Sequence, residues 1–206
     1  MKDFSKLEKA IGITFKDKNL LELAFVHKSY CNEAEGVCTH NERLEFLGDA
    51  VLELVVTDYL YRKYDDKPEG ELTNWRSALV KGKNLEKVSK KLGLGEYLFL
   101  SRGEELSGGR EKSYILANTT EALIGAIYLD DGYEVAKKFI AENIIALLDE
   151  IIAEGSYIDA KSRVQELSQE KLSLTPRYEL LSESGPDHNK IFVMGIYFGE
   201  ELIGEG

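Results

Sequence analysis

The sequence predicts a mainly α-helical protein, with an all-helical domain over residues 1–154 and a small α+β domain over residues 159–206. The first observation is the segment 42–64, which has no proline and a single glycine and repeats apolar residues every three or four positions. A second segment, 113–130, has the same character. After a linker at residues 155–159, the apolar residues alternate in short runs, which is typical of strands.

The helices of the first domain follow from apolar spacing and from the positions of glycine and proline. We predict helices over residues 4–13, 18–29, 42–64, 73–85, 85–92, 113–130 and 133–153. Thr73 is expected to cap the fourth of these. Residues 101–112 are charged and rich in glycine, and they predict a flexible connecting loop.

The second domain should contain one helix and three strands. The helix is expected over residues 160–171 and the strands over 178–181, 191–198 and 201–203. An α-β-β-β order of about 50 residues is small for an independent unit without a further packing element. We therefore expect this domain to be incomplete, with its last helix missing.

The composition indicates a packed protein in the cytoplasm. Hydrophobic residues make up 43% of the 206 residues, no apolar run reaches the roughly 18 residues of a membrane helix, and the start lacks a signal-peptide pattern. We therefore expect no membrane partner. Spacing alone does not exclude a disulfide between Cys31 and Cys38, but without a secretory signal we predict two free thiols.

The net charge of −11 argues at first against a nucleic-acid partner, because such binding depends on lysine and arginine meeting phosphates. A metal-dependent nuclease, however, must concentrate carboxylates, and bound divalent cations reverse the local sign. The acidic balance thus weakens a nucleic-acid interpretation without excluding it.

Three carboxylates share one face of the helix predicted over residues 42–64. Because each residue advances about 100°, Glu42, Glu45 and Asp49 fall within about 60° of one another. A solvated acidic face is the ordinary explanation of such a row. The rest of the helix is apolar, however, and Gly48 permits a second backbone to approach closely, so we favour a cleft.

The second long apolar helix supplies a partner strip of Asn118, Glu121 and Gly125. Two such helices can cross and pool their oxygen ligands. Oxygen ligands without histidine or cysteine favour magnesium or manganese over zinc. Such an ion can generate hydroxide near neutral pH and stabilise a pentacoordinate phosphorus, so the chemistry favours phosphodiester hydrolysis.

The amino-acid sequences of these segments are more specific than the spacing of their polar residues. Residues 41–52 (Asn-Glu-Arg-Leu-Glu-Phe-Leu-Gly-Asp-Ala-Val-Leu) resemble the signature of the ribonuclease III family. Residues 24–30, 69–73 with Arg76, and 116–130 resemble its neighbouring segments. Residues 159–206 resemble a double-stranded-RNA-binding domain, so the similarity extends over essentially the whole chain.

The resemblance implies a homodimeric endoribonuclease with a two-metal site in each subunit, using Mg²⁺, with Mn²⁺ able to substitute. Its reaction would be hydrolysis of double-stranded RNA to 5′-phosphate and 3′-hydroxyl ends with two-nucleotide 3′ overhangs, in ribosomal and messenger RNA processing. Carried over by position, the metal ligands are Glu45, Asp49, Asn118 and Glu121, with Asp49 and Glu121 catalytic. The substrate-binding residues are Glu42, Glu69, Gln165, Glu166 and His188, and the dimer-interface residue is Phe46.

Two positions leave alternatives open. Where the family commonly has aspartate, this chain has Asn118, which keeps one oxygen for a metal but loses the charge. Its amide either still coordinates or leaves a weakened site, and the second case favours a protein that binds duplex RNA without cutting it. His188 is either an RNA contact or an ordinary solvated loop histidine. A purely structural role for the protein is disfavoured, because a scaffold gains nothing from clustered like charges.

Two further groups have ordinary explanations. His27 and His40 are expected to make local hydrogen bonds, since no cysteine or histidine partner has metal-ligand spacing. A lysine cluster is either a solvated face or a patch that contacts the RNA backbone; it comprises Lys81, Lys83, Lys87, Lys90 and Lys91.

Overall fold

The computed structural model describes residues 2–34, 36–155, 157, 160–186 and 190–206. The chain divides into two compact units, Met1–Tyr157 and Ile158–Gly206. No helix within the described ranges is long and apolar enough to cross a membrane.

The regular secondary structure of the first unit is helical, as predicted, apart from an isolated bridge between Val26 and Phe99 among its described residues. The helices are α1 (Ser5–Ile11), α2 (Lys18–Leu23), α3 (Lys28–Cys31), α4 (Glu42–Lys63), α5 (Glu69–Val80), α6 (Gly82–Lys91), α7 (Arg102–Leu106), α8 (Ser113–Asp131), α9 (Tyr133–Asn143) and α10 (Leu148–Glu154). Short 3₁₀ turns lie at Leu94–Tyr97, Gly109–Glu111 and Ile145–Leu147.

The centre of this unit is the pair α4 and α8. Leu52 and Val56 of α4 are fully buried, as are Leu123, Ile124 and Ile127 of α8. Burying a side chain of this size stabilises the fold by about 1.5–3 kcal/mol. The two helices predicted with most apolar character therefore form the scaffold on which the polar strips are carried.

The crossing of α4 and α8 depends on two glycines. A Cβ atom at Gly48 would lie 1.8 Å from the backbone oxygen of Glu121, and one at Gly125 would lie 2.2 Å from that of Leu44. Any side chain at either position would force the helices apart, because real Cβ contacts are never that short. The predicted close approach of a second backbone at Gly48 is confirmed.

The single helix predicted over residues 18–29 is wrong. The backbone between α2 and α3 pairs instead with Phe99: the Phe99 N–H donates to Phe25 O at 2.9 Å, and the His27 N–H donates to Phe99 O at 3.1 Å. The Ser29 N–H then donates to the His27 ring at 3.3 Å and begins α3. A distant part of the chain therefore breaks this helix, which local periodicity could not indicate.

The predicted boundaries of α5 are also wrong. The helix begins at Glu69, directly after Pro68 in extended conformation. Thr73 lies inside the helix, where its hydroxyl donates to the Glu69 carboxylate at 2.7 Å. Lys81, with extended backbone, separates α5 from α6. A proline directly before the first helical turn indicates the start of a helix more strongly than Thr73 does.

The helix predicted over residues 133–153 is divided between α9 and α10 by the 3₁₀ turn Ile145–Leu147. With this turn in place, Ile144, Ile145 and Leu148 are all buried. The change of pitch brings three large apolar side chains into the core.

The segment 101–112 is ordered rather than a flexible loop. It contains α7, whose first turn is capped by the Ser101 hydroxyl accepting from the Glu104 N–H at 3.1 Å. The Arg110 guanidinium donates to Gly95 O at 2.8 Å and to Leu98 O at 3.0 Å. These bonds tie the segment to the chain before it.

The prediction of two free thiols is wrong as well. Cys31, the last residue of α3, forms a disulfide with Cys38, and their Cα atoms are 5.3 Å apart. The connection between α3 and α4 folds back on itself to bring the two residues together. Sequence spacing alone permits both states, and the structure has the bonded one.

The second unit has the predicted α-β-β-β order within its described residues. It comprises α11 (Ala160–Leu172), β1 (Arg177–Ser184), β2 (Ile191–Phe198) and β3 (Glu201–Glu205). The strands form one antiparallel sheet in the order β1-β2-β3, with Leu180 opposite Met194. The buried Ser168 hydroxyl donates to Leu174 O at 2.9 Å and holds the end of α11 to the connection before β1.

Candidate active site

Helix α4 presents three carboxylates at increasing distance from its N-terminus. Glu42 is exposed and Glu45 is half-buried, both in the first turn, and Asp49 is exposed one turn later. Negative charge in the first turn is favourable, because the helix dipole places partial positive charge there. The predicted acidic strip is therefore present.

Helix α8 brings Glu121 and Asn118 to this strip. Burial and the charges of Asp49 and Glu45 raise the pKa of Glu121 from 4.5 to about 7. Burial, followed by the charge of Glu42, likewise raises the pKa of Glu45. Glu45 and Asp49 on α4 and Glu121 on α8 therefore influence one another's ionisation.

Asn118 opposes part of this effect. The interaction of its side-chain amide with the Glu45 carboxylate lowers the pKa of Glu45. An aspartate at this position would have no donor to offer when ionised, and its charge would repel Glu45. The amide therefore stabilises the ionised form of its neighbour in the absence of a metal.

Two partners of Glu42 were missed by the sequence analysis. The Lys28 ammonium lies 3.1 Å from one Glu42 oxygen, and His40 Nδ1 lies 3.8 Å from the other. The Lys28 hydrogen bond lowers the pKa of Glu42, and the charges of Glu42 and Glu45 help to raise the pKa of Lys28. Both partners precede α4, and no periodicity indicates that their connection folds over its first turn.

The donor set suits magnesium. It contains carboxylate and amide oxygens without histidine or cysteine, as hard divalent cations prefer. Within the described residues, no group of three or more His, Cys, Asp or Glu side chains is gathered closely enough to hold an ion by itself. Magnesium usually binds through one or two carboxylates and keeps several waters, so the looser arrangement of Glu45, Asp49 and Glu121 fits it.

The other predicted site residues are described by their own surroundings. Glu69 lines a cavity of about 660 Å³ between the C-terminal half of α4 and α5. Gln165 and Glu166 are exposed on α11, where Glu166 pairs with Arg163 at 3.5 Å. The prediction for His188 lies outside the described residues.

The lysine cluster on and before α6 is partly neutralised. Lys87 pairs with Glu150 at 3.4 Å and Lys90 with Glu86 at 2.7 Å. The opposite side of α6 carries the buried residues Leu85 and Val88. A solvated helix face with local ion pairs therefore suffices to explain Lys87 and Lys90.

A helical unit with a carboxylate-lined helix crossing, followed by a small α+β unit, matches two families. Residues 17–148 match the Ribonuclease-III-like family, and residues 160–206 match the double-stranded RNA binding motif. Together these define a nuclease domain joined to an RNA-binding module.

Individual proteins agree with this classification. The chain is 46% identical to Ribonuclease 3 of Clostridium perfringens over 208 residues, covering 100% of this chain and 87% of that protein. It is 44% identical to Ribonuclease 3 of Treponema denticola over 199 residues, covering 97% and 81%. The chain therefore belongs to the ribonuclease III family and is an enzyme of that class.

A solved structure shows the same fold for the first unit. The nuclease domain of ribonuclease III from Campylobacter jejuni superposes with a TM-score of 0.65 at 46% identity, covering 71% of this chain and 96% of that one. A second structure of that domain, at 45% identity and a TM-score of 0.63, covers 69% of this chain and 99% of that one and concerns flexibility in a region involved in dimer formation.

Proposed function

We propose that this protein hydrolyses phosphodiester bonds of double-stranded RNA with a divalent metal ion, preferably Mg²⁺ and with Mn²⁺ as a substitute. The observation that carries the proposal is the crossing of α4 and α8. It couples Glu45, Asp49 and Glu121 electrostatically in a chain that also matches a duplex-RNA-binding motif. The half-buried carboxylates of Glu45 and Glu121 beside Asp49 are unfavourable by themselves and gain most from a bound cation.

In the mechanism, Glu45, Asp49 and Glu121 would hold the metal, with the Asn118 oxygen as a further ligand. A bound magnesium ion supplies positive charge that promotes ionisation of the attacking water and stabilises the charge developing on the phosphate. Asp49 and Glu121 are the proposed catalytic carboxylates. Because the pKa of Glu121 is about 7 in the absence of a metal, a bound cation would favour its ionised, ligating form near neutral pH.

The proposed products carry 5′-phosphate and 3′-hydroxyl ends with two-nucleotide 3′ overhangs. A staggered cut across a duplex requires two active sites at a fixed separation, which a symmetric dimer supplies. The proposed setting is the cytoplasm, where the substrates would be precursors of ribosomal and messenger RNA. In the second unit, Gln165 and Glu166 would contact the RNA.

The dimer proposal is supported by an exposed apolar strip along α4. Phe46 is 80% exposed, Leu54 58% and Tyr61 74%. Their spacing of eight and seven residues places them within an arc of about 80° on one side of the helix. Large apolar groups left in water on one helix face mark an interaction surface, and a second copy of this chain is the proposed occupant.

A cleavage assay tests the function. A long RNA duplex is incubated with the protein in Mg²⁺ and, separately, in Mn²⁺, and the ends of the fragments are identified by their phosphate labelling. Cleavage that needs metal and is lost in Glu121→Gln is the expected result. Absence of cleavage in both metals, with duplex binding retained, would contradict it.

That last outcome defines the second candidate function, a regulatory protein that binds duplex RNA and does not cut it. Asn118 is the observation that favours it, since a neutral amide stands where the resemblance places a charged ligand and it already interacts with Glu45. Restored cleavage in Asn118→Asp, starting from an inactive protein, would select this second candidate.

A further inference from the structure

The side chain of Tyr114 lies on the same face of α8 as the two residues that this helix brings to the site. Tyr114, Asn118 and Glu121 are spaced i, i+4 and i+7, so they fall within about 60° of one another around the helix. Tyr114 is 56% exposed, whereas Asn118 and Glu121 are half-buried. The phenol is therefore a solvent-facing group about 10 Å along the helix axis from Glu121.

The backbone that carries Tyr114 is fixed. Ile115 and Leu116, the next two residues, are buried in the core. The Leu116 N–H donates to Lys112 O at 3.1 Å within the first turn of α8. The phenol is thus presented to solvent by an ordered helix.

Two ammonium groups lie near this phenol. The pKa of Lys28 is raised chiefly by its hydrogen bond with Glu42, and the pKa of Lys112 chiefly by its hydrogen bond with Glu104; the charge of Tyr114 contributes to both. Lys112 is paired with Glu104 at 2.6 Å, and its side chain is 32% exposed. Lys28 is 64% exposed and lies 3.1 Å from one Glu42 oxygen. Because an ammonium has three donor hydrogens, Lys28 can also bind a second anion.

The position of Lys28 is fixed by the residues around it. The Ser29 N–H donates to the His27 ring at 3.3 Å, and the Ser101 N–H donates to Ser29 Oγ at 3.1 Å. The His27 N–H donates to Phe99 O at 3.1 Å. These bonds hold the start of α3, so Lys28 and Tyr114 form a defined pair of exposed groups beside the carboxylates.

We propose that Tyr114 and Lys28 hold the sugar–phosphate backbone of the substrate beside the carboxylate site, with Tyr114 contacting a ribose 2′-hydroxyl and Lys28 an adjacent phosphate. The proposal rests on the proposed function, because it takes duplex RNA as the substrate.

The chemistry of the two side chains suits these contacts. Within the part of the chain that the structure describes, no hydrogen bond engages the Tyr114 hydroxyl. A phenol both donates and accepts hydrogen bonds, as does the ribose 2′-hydroxyl, the group that distinguishes RNA from DNA. Lys28 supplies the positive charge that phosphate binding requires. Tyr114 would therefore contribute to the selection of RNA over DNA.

Single 2′-deoxy substitutions test the ribose contact. A short RNA hairpin is prepared as a series in which each member carries one 2′-deoxynucleotide at a successive position. Kd is measured by fluorescence anisotropy without metal, and kcat and KM are measured in Mg²⁺. For the natural protein, one position in the series should raise Kd and KM about fivefold, the effect of one lost hydrogen bond, and leave kcat unchanged.

Tyr114→Phe keeps the ring and removes the hydroxyl. It should raise Kd and KM about fivefold on the all-RNA hairpin and lose its sensitivity to the 2′-deoxynucleotide at that one position. Tyr133→Phe is the matched control, since Tyr133 is a partly exposed tyrosine just after the other end of α8. It should keep the profile of the natural protein. Identical profiles for the natural protein and Tyr114→Phe would overturn the inference.

The phosphate contact has a separate readout. Lys28→Gln should make the slope of log Kd against log salt concentration shallower by about one, the effect of one lost phosphate contact, whereas Tyr114→Phe should leave the slope unchanged. An unchanged slope in Lys28→Gln would overturn the role of Lys28. A natural protein that binds the hairpin without cutting it, and whose Kd still depends on Tyr114 and the same 2′-hydroxyl, would overturn the proposed catalytic function and leave this inference standing.

Discussion

Asn118 shows how one amide changes the balance of the site. Its interaction with Glu45 lowers the pKa of that carboxylate, while burial and neighbouring charge raise it. In the metal-free protein, the amide of Asn118 therefore avoids the charge repulsion with Glu45 that an aspartate at this position would add. The same amide offers a cation one neutral oxygen instead of a charged carboxylate.

The first prediction concerns the metal dependence of cleavage. Asn118→Asp should lower the Mg²⁺ concentration for half-maximal cleavage by roughly tenfold, because a charged ligand contact contributes about 1.4 kcal/mol more. Mn²⁺ should stimulate the natural protein more than the variant. Equal metal titration curves for the two proteins would refute this prediction.

The second prediction concerns the pH dependence of stability. The folded-state pKa of Glu121, about 7, lies above its ordinary value of 4.5, so the folded state binds this proton more tightly than the unfolded state. The stabilisation from proton binding is complete below about pH 4.5 and is lost as the pH rises through 7.

Glu121→Gln should therefore leave the Tm nearly unchanged at pH 5 and raise it at pH 8 in metal-free buffer. The expected rise is roughly 2–4 °C, the effect of about 1 kcal/mol in a chain of this size after screening of a half-buried group. Mg²⁺ at pH 8 should raise the Tm of the natural protein more than that of the variant. A constant Tm difference between pH 5 and pH 8 would contradict the assignment.

Among the helices, the crossing of α4 and α8 determines whether the site forms. Gly48 lies between Glu45 and Asp49 on α4, and Gly125 lies one turn after Glu121 on α8. Both glycines contact the backbone of the other helix. Helix separation would therefore move the carboxylates apart as well as open the core.

The third prediction uses two glycine variants. Gly48→Ala should lower the Tm strongly and reduce cleavage, because its Cβ would lie 1.8 Å from a backbone oxygen that cannot move alone. Gly70→Ala is the matched control, since Gly70 is also helical but has no atom within 4 Å of an added Cβ. It should be neutral or stabilising by up to about 1 kcal/mol. Similar losses in both variants would show that close approach is not the cause.

For the whole molecule, assembly is the property that a single chain leaves open. The exposed strip of Phe46, Leu54 and Tyr61 lies on α4, the helix that also carries the acidic strip. A dimer that covers this surface would bring the two carboxylate sites close to a common interface.

The fourth prediction is that Phe46→Glu makes the protein monomeric in sedimentation velocity, because it places a charge where an apolar contact is needed. Leu106→Glu is the control, since Leu106 is 79% exposed on α7, away from the strip. It should sediment as the natural protein does. A monomeric natural protein, or a Phe46→Glu variant that stays dimeric, would exclude this surface as the interface.

Much of this organisation follows from the sequence. The 3.6-residue period determines α4 and α8 almost to the residue, and alternation determines the three strands. Helical geometry alone places Glu42, Glu45 and Asp49 on one face. The residue types, oxygen donors around glycines, also predict the close helix crossing, which the structure confirms, and a metal site, which stays a prediction.

Only the tertiary structure decided the features that depend on distant chain segments. Phe99 divides α2 from α3, and the core divides α9 from α10, although each pair has continuous helical periodicity. The connection before α4 folds so that Lys28 meets Glu42 and Cys31 meets Cys38. Burial against α4, together with the charges of Asp49 and Glu45, gives Glu121 its pKa near 7. A pKa, an ion pair and a disulfide all depend on distances across the fold, and sequence spacing fixes such distances only within one helix or strand.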